Sequence, residues 1–291
     1  MRTAICTCIK NEHAYLREWL EYHLGLGFDH IYLYEDFGSE SHADIVDEYD
    51  NVTLLSMEVV LCEEDHIEGR QMKSVRYSLR CFKEYDWIAF IDADEFIRLE
   101  DGLTLHAFLA RYEEHSAVYL SWRMFGACGH LTRPAGGVQE SYTVPELDVD
   151  FGEFLGGRWL HKSIANMRRD PYAENIHTIR DGVNMDGEPV GRIGIYHTAW
   201  IDHYFTKSWE EWCDRIFTRG DLCNGNRRLH LFFKANPSFE SDMEKMIAEV
   251  ADRIPHGGKN YWLTPRCIAG GNVRTVTSLN SSMYKVFNPK G

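Results

Sequence analysis

The stretch Trp87-Ile88-Ala89-Phe90-Ile91-Asp92-Ala93-Asp94-Glu95 decides how this chain is read. Five consecutive apolar residues bounded by polar ones read as a short buried strand, and that strand delivers an acidic cluster at its carboxyl end. In an open α/β sheet, ligands gather beyond the carboxyl ends of the strands. Residues i and i+2 of an extended segment point the same way, so Asp92 and Asp94 can address one site. Carboxylate oxygens are the ligands that hard divalent cations prefer, and such a cation could neutralise a diphosphate. The plainer reading is an acidic strand end with Asp94 capping the next turn.

Working outward from this stretch, the preceding residues alternate between two periodicities. Thr3–Ile9 is a short β-prone run, followed by Asn11 as an expected N-cap and by Leu16, Trp19, Leu20 and Leu24 at helical spacing up to Gly25 and Gly27. His30–Glu35 reads as a second strand, Ala43–Tyr49 as a short helix and Val52–Met57 as a third strand. Gln71–Tyr85 reads as a helix presenting Met72, Val75, Leu79 and Phe82, and Trp87–Ile91 as the fourth strand. Strands alternating with helices imply right-handed crossovers and a mostly parallel sheet flanked by helices. Gly25-x-Gly27 follows a helix and lacks a third glycine, so it is a helix end rather than a dinucleotide fingerprint; P-loop and nucleophile-elbow motifs are absent.

Downstream, the spacing predicts a helix near Leu105–Tyr112, a strand near Val118–Met124 and then a glycine-rich region without readable period to about Val190. Ser208-x-x-Glu211 is a capping box opening a helix with Trp209, Trp212 and Ile216 on one side. Phe239, Met243, Met246, Ile247 and Val250 mark a further amphipathic helix. From Pro255 to Gly291 the chain carries Lys259, Arg266, Arg274, Lys285 and Lys290 and no acid. That cationic tail is expected to meet an anionic acceptor, an anionic membrane surface or the acidic face of a second subunit.

The charge balance narrows the function further. With 31 Lys and Arg against 45 Asp and Glu the chain carries a net −14, which argues against a nucleic-acid partner. A 44% hydrophobic content provides for a sizeable core. No signal peptide and no membrane span is expected, and the 8 scattered cysteines, without a C-x-x-C pair, read as reduced thiols.

Five segments in chain order carry a resemblance. They are Ile9-Lys10-Asn11-Glu12 with Tyr15-Leu16-x-Glu18-Trp19-x-x-Tyr22-His23; Gly27-Phe28-x-His30-Ile31-Tyr32-x-Tyr34; the strand Trp87–Ile91 with Asp92-x-Asp94-Glu95-Phe96; Trp122-Arg123-x-Phe125-Gly126; and His203-Tyr204-x-Thr206-Lys207-Ser208-x-Glu210-Glu211. Over roughly residues 3–220 the chain resembles the GT-A-fold glycosyltransferases, particularly the family 2-like and family 92 group. The resemblance implies a Rossmann-like, mixed but mostly parallel sheet flanked by helices. It places a glycosyltransferase domain at 1–235, with a nucleotide-binding half at 1–100 and an acceptor-binding half at 101–235. A C-terminal helix and basic tail would occupy 236–291.

What the resemblance implies chemically is metal-dependent transfer of a hexose, such as galactose, from a UDP-sugar to a glycan or lipid-linked glycan acceptor, with inversion, in surface polysaccharide synthesis. The expected location is cytoplasmic, peripheral to the inner face of the membrane. Asn11, Glu12 and Asp36 would contact base and ribose, and Ala93 would line the nucleotide sugar. Asp94 would bind Mn²⁺ or Mg²⁺, Asp92 the ribose or the metal, and His203 would be the further metal ligand. Lys207, Arg70 and Lys162 would meet the diphosphate, while His177 and His197 are expected to pack or hydrogen-bond. Glu140 is the expected base, with Asp148, Asp150 and Glu153 as rivals. A metal-dependent nucleotidyltransferase or phosphohydrolase, and a non-catalytic sugar-binding protein, are the competing readings.

Overall fold

The computed structural model describes residues 1–61, 69–146, 160–189, 195–218 and 229–250. The chain forms two compact units, one of Met1–Phe125 with Gly136–Phe205 and the other of Gly126–Ala135 with Thr206–Gly291. The first unit holds an eight-stranded sheet: β1 (Thr3–Ile9), β2 (His30–Glu35), β3 (Val52–Ser56), β4 (Trp87–Phe90), β5 (Glu95–Leu99), β6 (Ala117–Met124), β7 (His161–Asn166) and β8 (Ala199–His203). Its order is β3-β2-β1-β4-β7-β6-β8-β5. The β3-β2-β1-β4 half is parallel, as the alternating pattern requires, and β4 then pairs antiparallel with β7.

The helix α1 (His13–Leu26) ends at Gly27, whose φ of 111° is the left-handed turn that glycine adopts without a side-chain clash. Asn11 does not cap it: Glu12 occupies the N-cap without a side-chain cap bond. Asn11 instead takes a left-handed φ of 53°, and its side-chain oxygen accepts the Glu40 N–H at 3.0 Å. The helix expected over 71–85 runs over Arg70–Cys81. Phe82 leaves helical geometry and stacks on Tyr32, with ring centroids 4.0 Å apart.

β5 is an edge strand, and an open edge leaves backbone groups to be satisfied. One face of α1 does this. Trp19 Nε1 donates to the Glu95 oxygen at 2.8 Å, the Tyr22 hydroxyl donates to the Ile97 oxygen at 2.7 Å, and His23 Nε2 accepts the Ile97 N–H at 3.3 Å. The segment Trp19-x-x-Tyr22-His23 therefore works as a side-chain substitute for a ninth strand.

Three strands lie where the sequence showed no strand: β5, β7 and β8. Every residue of β7 is buried, including His161, Lys162, Ser163 and Asn166, so polar side chains fill positions that an apolar alternation would otherwise mark.

The second unit carries short helices at Trp209–Thr218, Leu229–Ala235 and Met243–Glu249. The Ser208 capping box forms as expected, with the Ser208 hydroxyl donating to Glu211 at 2.6 Å and the Glu211 N–H returning to Ser208 at 3.3 Å. Trp209, Trp212 and Ile216 are buried together. Among the described residues no helix is long and apolar enough to cross a membrane. The cationic segment from Pro255 lies outside the described residues.

Candidate metal centre

The backbone turns sharply after β4. The Glu95 N–H donates to the Asp92 oxygen at 3.1 Å, and the Glu95 carboxylate accepts the Asp92 N–H at 3.0 Å. This reciprocal pair folds Asp92-Ala93-Asp94-Glu95 into a tight cradle, with Ala93 buried inside it. Directly across the β5–β8 pairing, Glu95 faces His203. The Tyr204 N–H donates to the Asp94 oxygen at 2.9 Å and ties the end of β8 to the same turn.

The side chains converge as the backbone does. His203 Nε2 lies 3.5 Å from Asp94 Oδ1, and His203 Nδ1 lies 4.0 Å from Glu95 Oε1. One ligand atom from each of Asp94, Glu95 and His203 falls within 4.8 Å of the other two. These residues are 3%, 0% and 4% exposed. Neither ring nitrogen of His203 hydrogen-bonds among the described residues, nor does Glu95 Oε1, although buried polar atoms ordinarily find partners. Carboxylate oxygens with one imidazole form a donor set that suits Mn²⁺ or Mg²⁺, and a bound dication would satisfy these atoms. The residues therefore fit a divalent metal.

Lys162 closes the cluster from β7. Its Nζ lies 3.0 Å from Asp92 Oδ2 and 4.0 Å from Glu95 Oε1, and 5.9 Å from the centroid of the Trp122 ring. Burial raises the Glu95 carboxyl well above the usual range, Lys162 opposes that rise, and Asp92 and Asp94 add to it. Burial works to lower the Lys162 ammonium, but Asp92 and Glu95 outweigh it and hold its pKa above the ordinary value. Burial also lowers His161 to about 4, and burial with the Lys162 charge lowers His177 to about 3. A small cleft beside Asp92 is lined by Thr7, Cys8, Gln71, Ser74 and Lys162.

The remaining sequence candidates are placed as follows. Asp36, at the carboxyl end of β2, accepts an ion pair from Arg70 at 2.8 Å and lies 3.9 Å from Lys10. Glu12 donates its N–H to His42 Nε2 at 3.0 Å, and the His42 Nδ1–H donates to Glu35 at 2.8 Å; with Asn11 bonded to Glu40, the turn after β1 is held by the loop after β2. His177 packs edge-on against Trp122 and bonds the His161 oxygen at 3.1 Å, while exposed His197 pairs with Asp186 at 3.1 Å. Lys207 belongs to the second unit, is buried and has a left-handed φ of 54°.

Glu140 is exposed on the short helix Val138–Ser141. The Glu18 carboxylate caps that helix by accepting the N–H groups of Val138 at 2.6 Å and Gln139 at 3.1 Å. Arg98 donates through Nη2 to the Gln139 side-chain oxygen at 2.7 Å and through Nε to buried Asp202 at 2.7 Å. The rivals Asp148, Asp150 and Glu153 lie outside the described residues. Sequence reasoning quoted Glu95 without giving it a ligand role and missed Asp202. The signal for Glu95 was its adjacency to Asp94; Asp202 carries none until β5, β6 and β8 are aligned.

The family profile of glycosyltransferase family 92 matches residues 3–179. A family 92 protein of Ricinus communis is 29% identical over 230 residues, covering 74% of this chain and 36% of the relative. A family 92 protein of Oryza sativa subsp. japonica is 24% identical over 223 residues, covering 74% and 35%. The chain thus spans about a third of the length of these curated relatives. Among solved structures, TarS of S. aureus aligns with a TM-score of 0.41 at 14% identity, covering 94% of this chain and 46% of that one. Glucosyl-3-phosphoglycerate synthase from Mycobacterium tuberculosis, solved with Mn²⁺, UDP and phosphoglyceric acid, aligns with a TM-score of 0.33 at 16% identity, covering 60% of each. With the profile covering more than half of its residues, the chain belongs to glycosyltransferase family 92.

Proposed function

We propose that this chain transfers a hexose from a UDP-sugar to an acceptor hydroxyl with inversion, using the cluster at the tip of β4 as a divalent-metal site. The observation that carries this reading is the convergence of Asp94, Glu95 and His203 within 4.8 Å at the place where an α/β sheet receives its ligands.

Asp94 and His203 hold the cation in this reading, with Glu95 beside them and Asp92 directed to ribose. A divalent cation such as Mn²⁺ or Mg²⁺, when held there, would supply Lewis-acid stabilisation of the charge that develops on the departing diphosphate. Asn11, Glu12 and Asp36 would orient base and ribose from the tips of β1 and β2, and Arg70, ion-paired with Asp36, would be a further cation for the diphosphate. Lys207 is the cation proposed from the sequence for the diphosphate. Glu140 takes the proton of the acceptor hydroxyl as it attacks the anomeric carbon from the face opposite the leaving group.

The test is a panel of nucleotide sugars assayed for Mn²⁺-dependent donor hydrolysis, with UDP release measured. Hydrolysis of a UDP-sugar that stops on chelation supports the reading. Release of sugar phosphate in place of UDP overturns it in favour of a phosphohydrolase or nucleotidyltransferase.

A further inference from the structure

The acidic cluster contains its own cation. Lys162 is 3% exposed and sits on β7, which reaches the site only because β4 and β7 pair antiparallel with Phe90 opposite Ser163. Its Nζ makes a 3.0 Å ion pair with Asp92 and approaches Glu95 to 4.0 Å. Glu95 Oε1 is also 4.0 Å from His203 Nδ1, so one carboxylate oxygen stands between the ammonium and the imidazole. Asp92, Asp94 and Glu95 thus gather around a single ammonium.

We propose that Lys162 is an internal counter-ion that positions Asp92 and weakens the cluster's hold on a divalent cation while no nucleotide is bound, rather than a contact to the donor phosphates. The inference rests on the metal reading above and deepens it. A lysine already engaged at 3.0 Å and sealed from solvent has little freedom to reach an incoming diphosphate. Its charge, close to the carboxylate that a cation would share, repels that cation; a diphosphate arriving with the metal offsets this repulsion. Metal and nucleotide then bind together more favourably than either binds alone.

The experiment is calorimetric titration of Mn²⁺ into the nucleotide-free protein. Lys162→Met should bind Mn²⁺ about tenfold more tightly than wild type, while Lys162→Arg, which keeps the charge, should stay near wild type. Unchanged or weaker Mn²⁺ affinity in Lys162→Met overturns the counter-ion role, and loss of UDP binding beside an unchanged Mn²⁺ affinity favours a direct phosphate contact. Should Lys162→Met not fold, Asp92→Asn is compared with Asp92→Asn/Lys162→Met, which removes the ion pair as a unit. Tighter Mn²⁺ binding by the double variant supports the inference, and equal binding overturns it. Failure of wild type to bind Mn²⁺ both alone and in the presence of UDP, with Lys162→Met no better, sinks the metal reading and this inference with it; Mn²⁺ binding by wild type with UDP but an unimproved Lys162→Met sinks this inference alone.

Discussion

The indole of Trp19 donates to the main-chain oxygen of Glu95 at 2.8 Å, so the helix after β1 is bonded to a residue whose carboxylate belongs to the acidic cluster. Phenylalanine in place of Trp19 leaves that buried oxygen without its donor, and an unsatisfied buried acceptor costs about 1–3 kcal/mol. Trp19→Phe should lower the urea midpoint accordingly and weaken Mn²⁺ binding. An unchanged midpoint would show that the bond does not brace the edge of β5.

His23 should make the fold acid-sensitive. Burial lowers its pKa from the ordinary 6.5 to about 3, so between these values the unfolded chain binds a proton that the folded chain does not. Its contribution to stability is therefore present above pH 6.5 and is lost as pH falls toward 3, at up to about 1.4 kcal/mol per pH unit. Gln at this position can keep one donor for Trp19 and one acceptor for Ile97 without titrating. The stability advantage of wild type over His23→Gln, from urea unfolding, should shrink between pH 7 and pH 4.5. A difference independent of pH would contradict the assignment.

Asp94→Asn removes a carboxylate of the proposed metal site while leaving the Asp94 main-chain oxygen to accept the Tyr204 N–H. Metal-dependent UDP binding should disappear in titration calorimetry, with the thermal unfolding profile of the variant still cooperative. Retained Mn²⁺-dependent UDP affinity would remove Asp94 from the metal site.

For Glu140, substitution by Gln should leave UDP binding intact and slow transfer by at least about a hundredfold, the lower end of what a general base contributes. Near-normal turnover would pass the role to another carboxylate.

Glu18 tests whether the position of the Glu140 helix matters. Its carboxylate accepts two N–H groups of that helix, and a Cβ on Gly137 would stand 2.8 Å from it, so an alanine there displaces the capping carboxylate. Loss of a cap costs about 0.5–2 kcal/mol. Both Glu18→Ala and Gly137→Ala should lower kcat with little change in donor KM. Equal effects on both constants would indicate a general structural defect.

The parallel half of the sheet and the acidic cluster at its tip were legible in the sequence for a local reason. β1 to β4 are separated by helices whose apolar spacing is self-evident, and each strand is a short apolar run. The segment Trp19-x-x-Tyr22-His23 was visible as a pattern, but its purpose was not, because the Glu95 and Ile97 backbone groups it serves lie some 75 residues away.

Sequence by itself determined the alternating α/β order, the net negative charge, and the delivery of Asp92 and Asp94 beyond β4. Only the tertiary structure decided that Glu95 faces His203 and that Lys162 stands against Asp92. Those neighbours come from antiparallel strands β7 and β8, whose buried faces carry His, Lys, Ser and Asp in place of an apolar alternation. Residues buried because they pair with one another leave no hydrophobic period, so their partnership exists only once the strands are in register.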